Sequence, residues 1–184
     1  MIACSDEIRI VIGSWGSYNE CNERALGSKW LDLSNFDDWS EIEEELAKQG
    51  FELDGLDEEL FIQDIEGLPT DSKNWDYTNP CELFETLYEA EVLNDSYKYD
   101  VMCAYLEICS FDEFETLVRD RGHRWNWDIT LWKNKDWYDL AYDFLHEFYE
   151  VPDFLENYID YERYGNELKY DGFHEYSEGI IEIR

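Results

Sequence analysis

The sequence predicts an α+β protein of three small domains, of which the central one is mostly helical. Short runs rich in β-branched residues stand near both ends of the 184-residue chain, and apolar residues recur at helical spacing through its middle. Glycine and proline separate these stretches, as is typical of element boundaries. The expected domains are residues 1–70, residues 71–118 and residues 119–184.

The N-terminal domain is expected to contain three strands and one helix. Residues 8–12 read Ile-Arg-Ile-Val-Ile, a β-branched run typical of a strand. A helix is expected to begin with Ser34 as its N-cap, because Asp37 follows three residues later in the manner of a capping box. Gly50 is the expected end of that helix. Two further strands are expected at residues 29–33 and 60–65.

The central domain is expected to consist of three short helices. Asn79-Pro80 places a proline at a helix start, where its missing N–H is harmless. Residues 97–108 keep apolar side chains at helical spacing and predict the second helix. Ser110 and Glu113 have capping-box spacing and predict the start of the third. Helices of this length need tertiary packing to persist, so their apolar faces are expected to be buried.

The C-terminal domain is expected to contain two strands and one or two helices. Residues 125–131 alternate apolar and polar side chains, which is a strand pattern. Apolar residues at 140–148 predict a helix that ends before Pro152. A further turn or two of helix is expected at 155–161, and a last strand at 180–183.

The negative charge of the chain is far larger than its size requires. The chain holds 46 Asp and Glu residues against 14 Lys and Arg residues, for a formal net charge of −32. Residues 36–118 alone contain 25 acidic and 3 basic residues. This charge repels nucleic-acid phosphates and anionic lipids, so neither nucleic acid nor a membrane is expected as a direct partner. Solubility needs a net charge of only about 2–8 in a small domain, so the excess requires another explanation.

The sequence contains none of the common catalytic or cofactor-binding motifs. Phosphate-binding loops, zinc-protease helices and serine-hydrolase elbows are all missing. The three histidines lack metal-ligand spacing, and the five cysteines are odd in number, with no Cys-x-x-Cys pair. We therefore expect no enzyme, no cofactor and no metal site. A carboxylate-based hydrolase is the weaker alternative, because 46 acidic residues place some pair at a catalytic distance in any fold.

The chain is expected to act in the cytoplasm. Its first residues, Met1 to Glu7, lack the basic and apolar regions of a signal peptide. No uninterrupted apolar stretch approaches the roughly 20 residues that a membrane-spanning helix needs.

Acidic residues follow the exposed faces of the predicted helices. Glu82, Glu85 and Glu89 are spaced to share one helix face, opposite the apolar one. We interpret such rows as a DNA mimic, in which carboxylates replace phosphates and occupy a DNA-binding groove on another protein. By charge, 46 carboxylates match about 23 base pairs, or about 78 Å of duplex. The candidate residues of this surface are Asp37, Asp38, Glu41, Glu44, Glu45, Asp57, Glu58, Glu82, Glu85, Glu89, Asp112, Glu113 and Glu115.

Two other interpretations of the acidity stand beside the mimic. The first is that the acids only solvate exposed helix faces. Such faces commonly alternate acids with lysines, and this chain has few lysines. A generic acidic interaction protein or chaperone-like protein would have the same composition.

Stretches near both ends of the chain point to a known family. Val11, Ile12 and Trp30 stand near the beginning, and Gly179–Ile183 stands near the end. The most specific stretch consists of Asn157, Tyr158, Ile159, Asp160, Tyr161, Tyr164 and Gly165. In these residues, and in its length and acidity, the chain resembles the ArdA antirestriction proteins.

The resemblance implies an elongated, dimeric and non-enzymatic DNA mimic of three domains. ArdA proteins inhibit type I restriction–modification enzymes by occupying their DNA site. The implied partner is therefore the methyltransferase core of such an enzyme. Proteins of this family are typically carried by mobile genetic elements such as plasmids, transposons and phages.

Two groups of apolar residues have alternative interpretations. The motif tyrosines and Ile159 are expected to pack in the core of the third domain, since their spacing buries a helix face. Direct contact with the target is the alternative. A dimer contact is expected on one face of the strand at 125–131, with packing against the helix at 137–149 as the equal alternative. The residues of that face are Trp125, Trp127, Ile129 and Leu131.

Overall fold

The computed structural model describes residues 8–69, Trp75 and residues 78–184. The chain forms two compact units, divided between Trp125 and Asn126. Helices and two three-stranded antiparallel sheets make up the described part, which confirms the α+β class. The separation of the first unit into an N-terminal and a central domain near residue 70 stays a prediction.

The first unit opens with a small antiparallel sheet. Strand β1 is Arg9–Ser14, and it lies between β2, Leu31–Asp32, and β3, Leu60–Glu66. All three strands overlap the predicted ones, although β2 is only two residues long. A short helix that the sequence analysis did not predict, α1 (Trp15–Glu20), follows β1 directly and is capped by the Ser14 hydroxyl. The buried core beneath the sheet includes Ile10, Ile12, Leu33, Ile42, Leu46 and Ile62.

The helix predicted from Ser34 begins later than expected. Helix α2 is Trp39–Lys48, and its N-cap is Asp38, whose carboxylate accepts the Glu41 N–H at 3.1 Å. Ser34 instead lies in a turn of 3₁₀ helix, and its hydroxyl donates to the Asp32 carboxylate at 2.7 Å. The prediction of Ser34 as the cap was therefore wrong, because a local aspartate holds its hydroxyl.

Three helices complete the first unit: α3 (Pro80–Glu89), α4 (Ser96–Leu106) and α5 (Phe111–Arg121). Pro80 occupies the first turn of α3 as predicted. The capping box of α5 is complete, since the Ser110 hydroxyl accepts the Glu113 N–H and the Glu113 carboxylate accepts the Ser110 N–H. The buried faces of these helices carry Leu83, Phe84, Leu87, Val101, Met102, Phe111 and Phe114.

The second unit contains three helices and its own sheet. The helices are α6 (Trp137–Phe148), α7 (Asp153–Glu156) and α8 (Tyr161–Leu168). The strands are β4 (Ile129–Lys133), β5 (Phe173–Tyr176) and β6 (Gly179–Ile183), in the order β4-β6-β5. Helices α6 and α8 contribute to the core that covers the sheet, and this core is formed by Leu140, Leu168, Phe173 and Ile180.

The strand predicted at 125–131 is shorter than expected, and it begins at Ile129. Trp125 is fully buried in the first unit. Its indole N–H donates to the Ala90 carbonyl at 3.0 Å, and its ring meets Phe114 edge-on at 5.0 Å. Trp127 lies in a turn with 71% of its surface exposed. The four predicted contact residues therefore do not share a strand face, because a tertiary hydrogen bond holds Trp125 elsewhere.

Candidate functional site

Helices α2 and α3 pack against each other. Trp39 of α2 packs against Phe84 of α3 with ring centroids 6.4 Å apart. Asp37, just before α2, lines one cleft with Glu89 at the end of α3, and Glu43 lines a second cleft with Cys81 at the start of α3. Acids from both helices therefore line shared clefts, and we call the exposed acids of α2, α3 and the segments beside them the acidic surface.

The α3 row of this surface consists of Glu82, Glu85 and Glu89. All three side chains are exposed, and within the described part of the chain none of them has a cationic partner. The rise of an α-helix separates them by about 4.5 and 6 Å along the axis. The opposite face of α3 is buried, so the row projects from a fixed support.

The pKa of the Cys81 thiol reflects its burial and the negative charge of the surrounding carboxylates. Burial raises its pKa, and nearby carboxylates raise it further, to about 11. Glu85 contributes both charge and a hydrogen bond, and Glu43 and Glu82 contribute charge. Because carboxylates from both α2 and α3 act on one atom, their negative fields add up at this place.

The two lysines that the structure describes within residues 36–118 do not neutralise the α3 row. Lys48 lies 3.6 Å from the Glu45 carboxylate one turn earlier in α2. Lys98 pairs with Glu91, and its ammonium group also donates to the His123 carbonyl at 2.8 Å. Both cations are thus held by other partners in the described portion of residues 36–118.

Most of the predicted acids lie on the surface, and several also hold helix starts. Asp38 caps α2, Glu41 accepts the Asp37 N–H at 2.8 Å, and Glu113 closes the capping box of α5. Glu45 and Glu115 are half-buried. The exposed members are Asp37, Asp38, Glu41, Glu44, Glu58, Glu82, Glu85, Glu89, Asp112 and Glu113.

Asp57 is not part of the surface, and its prediction as a surface acid was wrong. Its side chain is fully buried, and its carboxylate lies 3.0 Å from Arg24. It also accepts hydrogen bonds from the Ser17 hydroxyl and from the Glu52 N–H. Burial raises its pKa, but the hydrogen bonds from Ser17, Glu52 and Ser14 and the charge of Arg24 outweigh burial and leave the pKa below its ordinary value. Asp57 therefore anchors the loop that carries other acids.

We expect Asp57→Asn to lower the free energy of unfolding by about 3 kcal/mol at pH 7, because it leaves Arg24 without its buried partner. The pKa of Asp57 is lower in the folded protein than the ordinary value of 3.8 that applies to the unfolded chain. The stabilisation by the Asp57 carboxylate is therefore complete above pH 3.8 and is lost as the pH falls through the pKa of the folded protein. The difference between the two proteins should therefore shrink below about pH 4. Urea unfolding at several pH values measures it, with Asp54→Asn as the control, and a constant difference down to pH 2 would contradict this role.

Several acids of the surface were missing from the predicted set. Glu43, Glu52 and Asp54 line a cleft of about 750 Å³ together with Glu44, which was predicted. Glu91 and Asp95 line the cleft that Asp37 and Glu89 share. The loop acids follow no helical period, so only their tertiary placement assigns them to the surface.

The motif near the C-terminus divides between core and surface. Tyr161 is buried, and its hydroxyl donates to the Glu156 carboxylate at 2.7 Å. Asp160 caps α8. Tyr164 packs against the core of the second unit, and Gly165 lies so close to the Trp137 carbonyl that a Cβ would approach it to 2.2 Å.

The expectation that all the motif tyrosines are buried was wrong for Tyr158. This side chain is 84% exposed, because it lies in the loop between α7 and α8 and not on a helix face. Ile159 is half-buried and Asn157 is exposed. Tyr158 is therefore available for contact, whereas Tyr161 is a packing residue.

The described residues offer no metal centre. No three of their His, Cys, Asp and Glu side chains are grouped so as to hold an ion. Among these same residues, no helix has both the length and the apolar character that crossing a membrane requires.

Comparison with known families identifies the chain. The family model described as "Antirestriction protein (ArdA)" matches residues 10–182, which is nearly the whole chain. A comparison with curated proteins gave no match. The family comprises antirestriction inhibitors that act on restriction enzymes. The chain therefore belongs to the ArdA antirestriction protein family.

Proposed function

We propose that the acidic surface of the first unit is a DNA mimic that occupies the DNA-binding groove in the methyltransferase core of a type I restriction–modification enzyme. The inhibitor acts in the cytoplasm and has no catalytic step. The observation that carries this proposal is the α3 row, whose three exposed carboxylates have no cationic partner among the described residues. Glu82 and Glu85 of this row act on the Cys81 thiol together with Glu43 of α2.

The spacing of the acids supports the comparison with DNA. One strand of a duplex carries a phosphate about every 3.4 Å along the axis. The α3 row carries a carboxylate about every 4.5 to 6 Å, and α2 contributes further exposed carboxylates at Glu41, Glu43 and Glu44. Phosphate contacts carry no base information, so a groove that grips the backbone accepts such carboxylates without sequence matching.

The protein is proposed to work as a homodimer, and the geometry of β4 supports this. Strand β4 has one strand neighbour in the described sheet, β6, so its other side is an open edge. Asn134 donates to the Glu178 carbonyl, and Arg184 donates to the Asp128 carbonyl. These two contacts mark hydrogen-bonded pairs of the β4–β6 ladder, and such pairs alternate with pairs that are not hydrogen-bonded. Leu131, opposite Ile181, belongs to the second kind, so its N–H and C=O point away from β6. An open edge of this kind is a template for pairing with a second copy.

Salt should weaken the complex. Raising NaCl from 50 to 200 mM is expected to weaken binding to the methyltransferase core by about a hundredfold, because the contact replaces many phosphate contacts. Titration by calorimetry or fluorescence anisotropy measures this, and the protein alone should show no binding to duplex DNA. The melting temperature over the same salt range serves as the control, since screening of self-repulsion should raise it. Affinity that does not change with salt would favour a generic interaction protein.

A further inference from the structure

A cleft of about 490 Å³ on the acidic surface combines carboxylates with two tryptophans. It lies where α1, α2, the start of β3 and the start of α3 come together. Its aromatic side chains are Trp15 and Trp39, and its acids are Glu43, Glu58 and Glu59. Glu58 and Glu59 are exposed and have no side-chain partner in the part of the chain that the structure describes.

Trp15 is held firmly at one wall of the cleft. Its backbone N–H donates to the Glu59 carbonyl at 3.0 Å, which ties the start of α1 to the segment that carries the acids. Its ring stacks on Phe61 with centroids 4.2 Å apart and an interplanar angle of 25°. Since Phe61 covers one face of the indole and Trp15 is only half-buried, part of the ring is left to line the cleft.

Trp39 is held in a similar way by its neighbours. Its indole N–H donates to the Glu43 carboxylate at 3.0 Å, which places a negative charge at the ring edge. The ring packs against Phe84 of α3, and the side chain stays half-buried. An aromatic surface beside carboxylates is thus built into the scaffold before any partner binds.

We propose that this cleft binds the guanidinium group of an arginine side chain, stacked against an indole and paired with Glu58 and Glu59. A planar guanidinium both stacks on aromatic rings and forms forked hydrogen bonds with carboxylates, which a lysine ammonium does not. The negative potential at Cys81, which also lines the cleft, favours a cation there. The arginine belongs to the DNA-binding groove of the partner, so this inference rests on the proposed function. The mimic would then offer both features of a nucleotide, a negative charge and a flat aromatic face.

The cleft can be tested with a small probe and without the restriction enzyme. N-acetyl-arginine amide is titrated into the full-length protein at constant ionic strength, and the indole N–H signals of all eight tryptophans are followed by NMR. The signals of Trp15 and Trp39 should shift and saturate. N-acetyl-citrulline amide, which has the same shape without the charge, should cause no saturating shift. Equal shifts with citrulline, or equal shifts of all eight signals, would overturn the proposal.

Two double variants distinguish arginine binding in this cleft from the general attraction of arginine to an acidic protein. Glu58→Gln with Glu59→Gln should weaken arginine binding by about fivefold, since two exposed carboxylate contacts are lost. The control variant, Glu147→Gln with Glu150→Gln, removes the same charge from the second unit and should leave binding unchanged. Equal weakening by both variants would overturn the proposal. If the probe does not bind but the protein still displaces DNA from the methyltransferase, the cleft assignment fails and the mimic stands.

Discussion

The triple variant Glu82→Gln, Glu85→Gln and Glu89→Gln is expected to inhibit a type I methyltransferase about tenfold to a hundredfold less well than the parent protein. Each exposed charge contact contributes on the order of 0.2 to 1 kcal/mol, and pairs that become desolvated in an interface contribute more. The row has no cationic partners in the described part of the chain, so its charge is available to the enzyme. The inhibition constant, measured against methylation of a duplex substrate, gives the result.

The α3 row can be changed without disturbing the fold. Glutamine keeps the size of each side chain, and the removal of three like charges lowers self-repulsion, so the melting temperature should not fall. The matched control changes three exposed acids of the second unit to glutamine, namely Glu147, Glu150 and Glu162. Equal losses in both variants would mean that total charge, and not this row, determines inhibition. A single change such as Glu85→Gln that abolished activity would instead indicate a localised active site.

Leu131→Pro is expected to convert the proposed dimer into a folded monomer that inhibits more weakly. The Leu131 N–H faces the open edge of β4, so its removal spares the hydrogen bonds to β6. Pairing between two copies of the protein would lose the N–H of residue 131 as a hydrogen-bond donor, and the proline ring would clash with the neighbouring strand. Light scattering measures the mass, and the melting temperature shows whether the fold survives.

Leu131→Val is the control for this variant, since valine keeps the N–H and suits a strand. It should remain a dimer. If Leu131→Pro is folded and still dimeric, the contact lies elsewhere in the protein, and the exposed Tyr158 loop becomes the next candidate. Ile129 is unsuitable for this test, because it is buried and a polar replacement would unfold the unit.

Local signals explain which elements could be predicted from the sequence. Pro80 and the Ser110–Glu113 capping box fix helix starts through bonds within one turn, so α3 and α5 were predicted correctly. Helix α1 was missed because Gly16 resembles a helix breaker. Its real constraint is tertiary, since a Cβ at Gly16 would lie 1.8 Å from the Leu56 carbonyl oxygen.

The acids of the acidic surface could be predicted from the sequence only where they follow the helical period. The α3 row follows from the spacing of its three glutamates, whereas the burial of Asp57 depends on Arg24, which lies far away in sequence. Trp125 misled the strand prediction for the same reason, since its partner is the carbonyl of Ala90, which directly follows α3. Patterns in the sequence therefore identify exposed faces, but not which charged or aromatic residues a distant segment takes into the core.

The most direct test of the mimic is competition for the methyltransferase core between this protein and duplex DNA. A labelled duplex is bound to the core, and the protein is added while anisotropy and sedimentation are followed. If the acidic surface occupies the DNA groove, the protein should displace the duplex completely, and its apparent dissociation constant should rise in proportion to the duplex concentration. A ternary complex of core, duplex and protein, or an apparent constant that does not change with duplex concentration, would contradict the account.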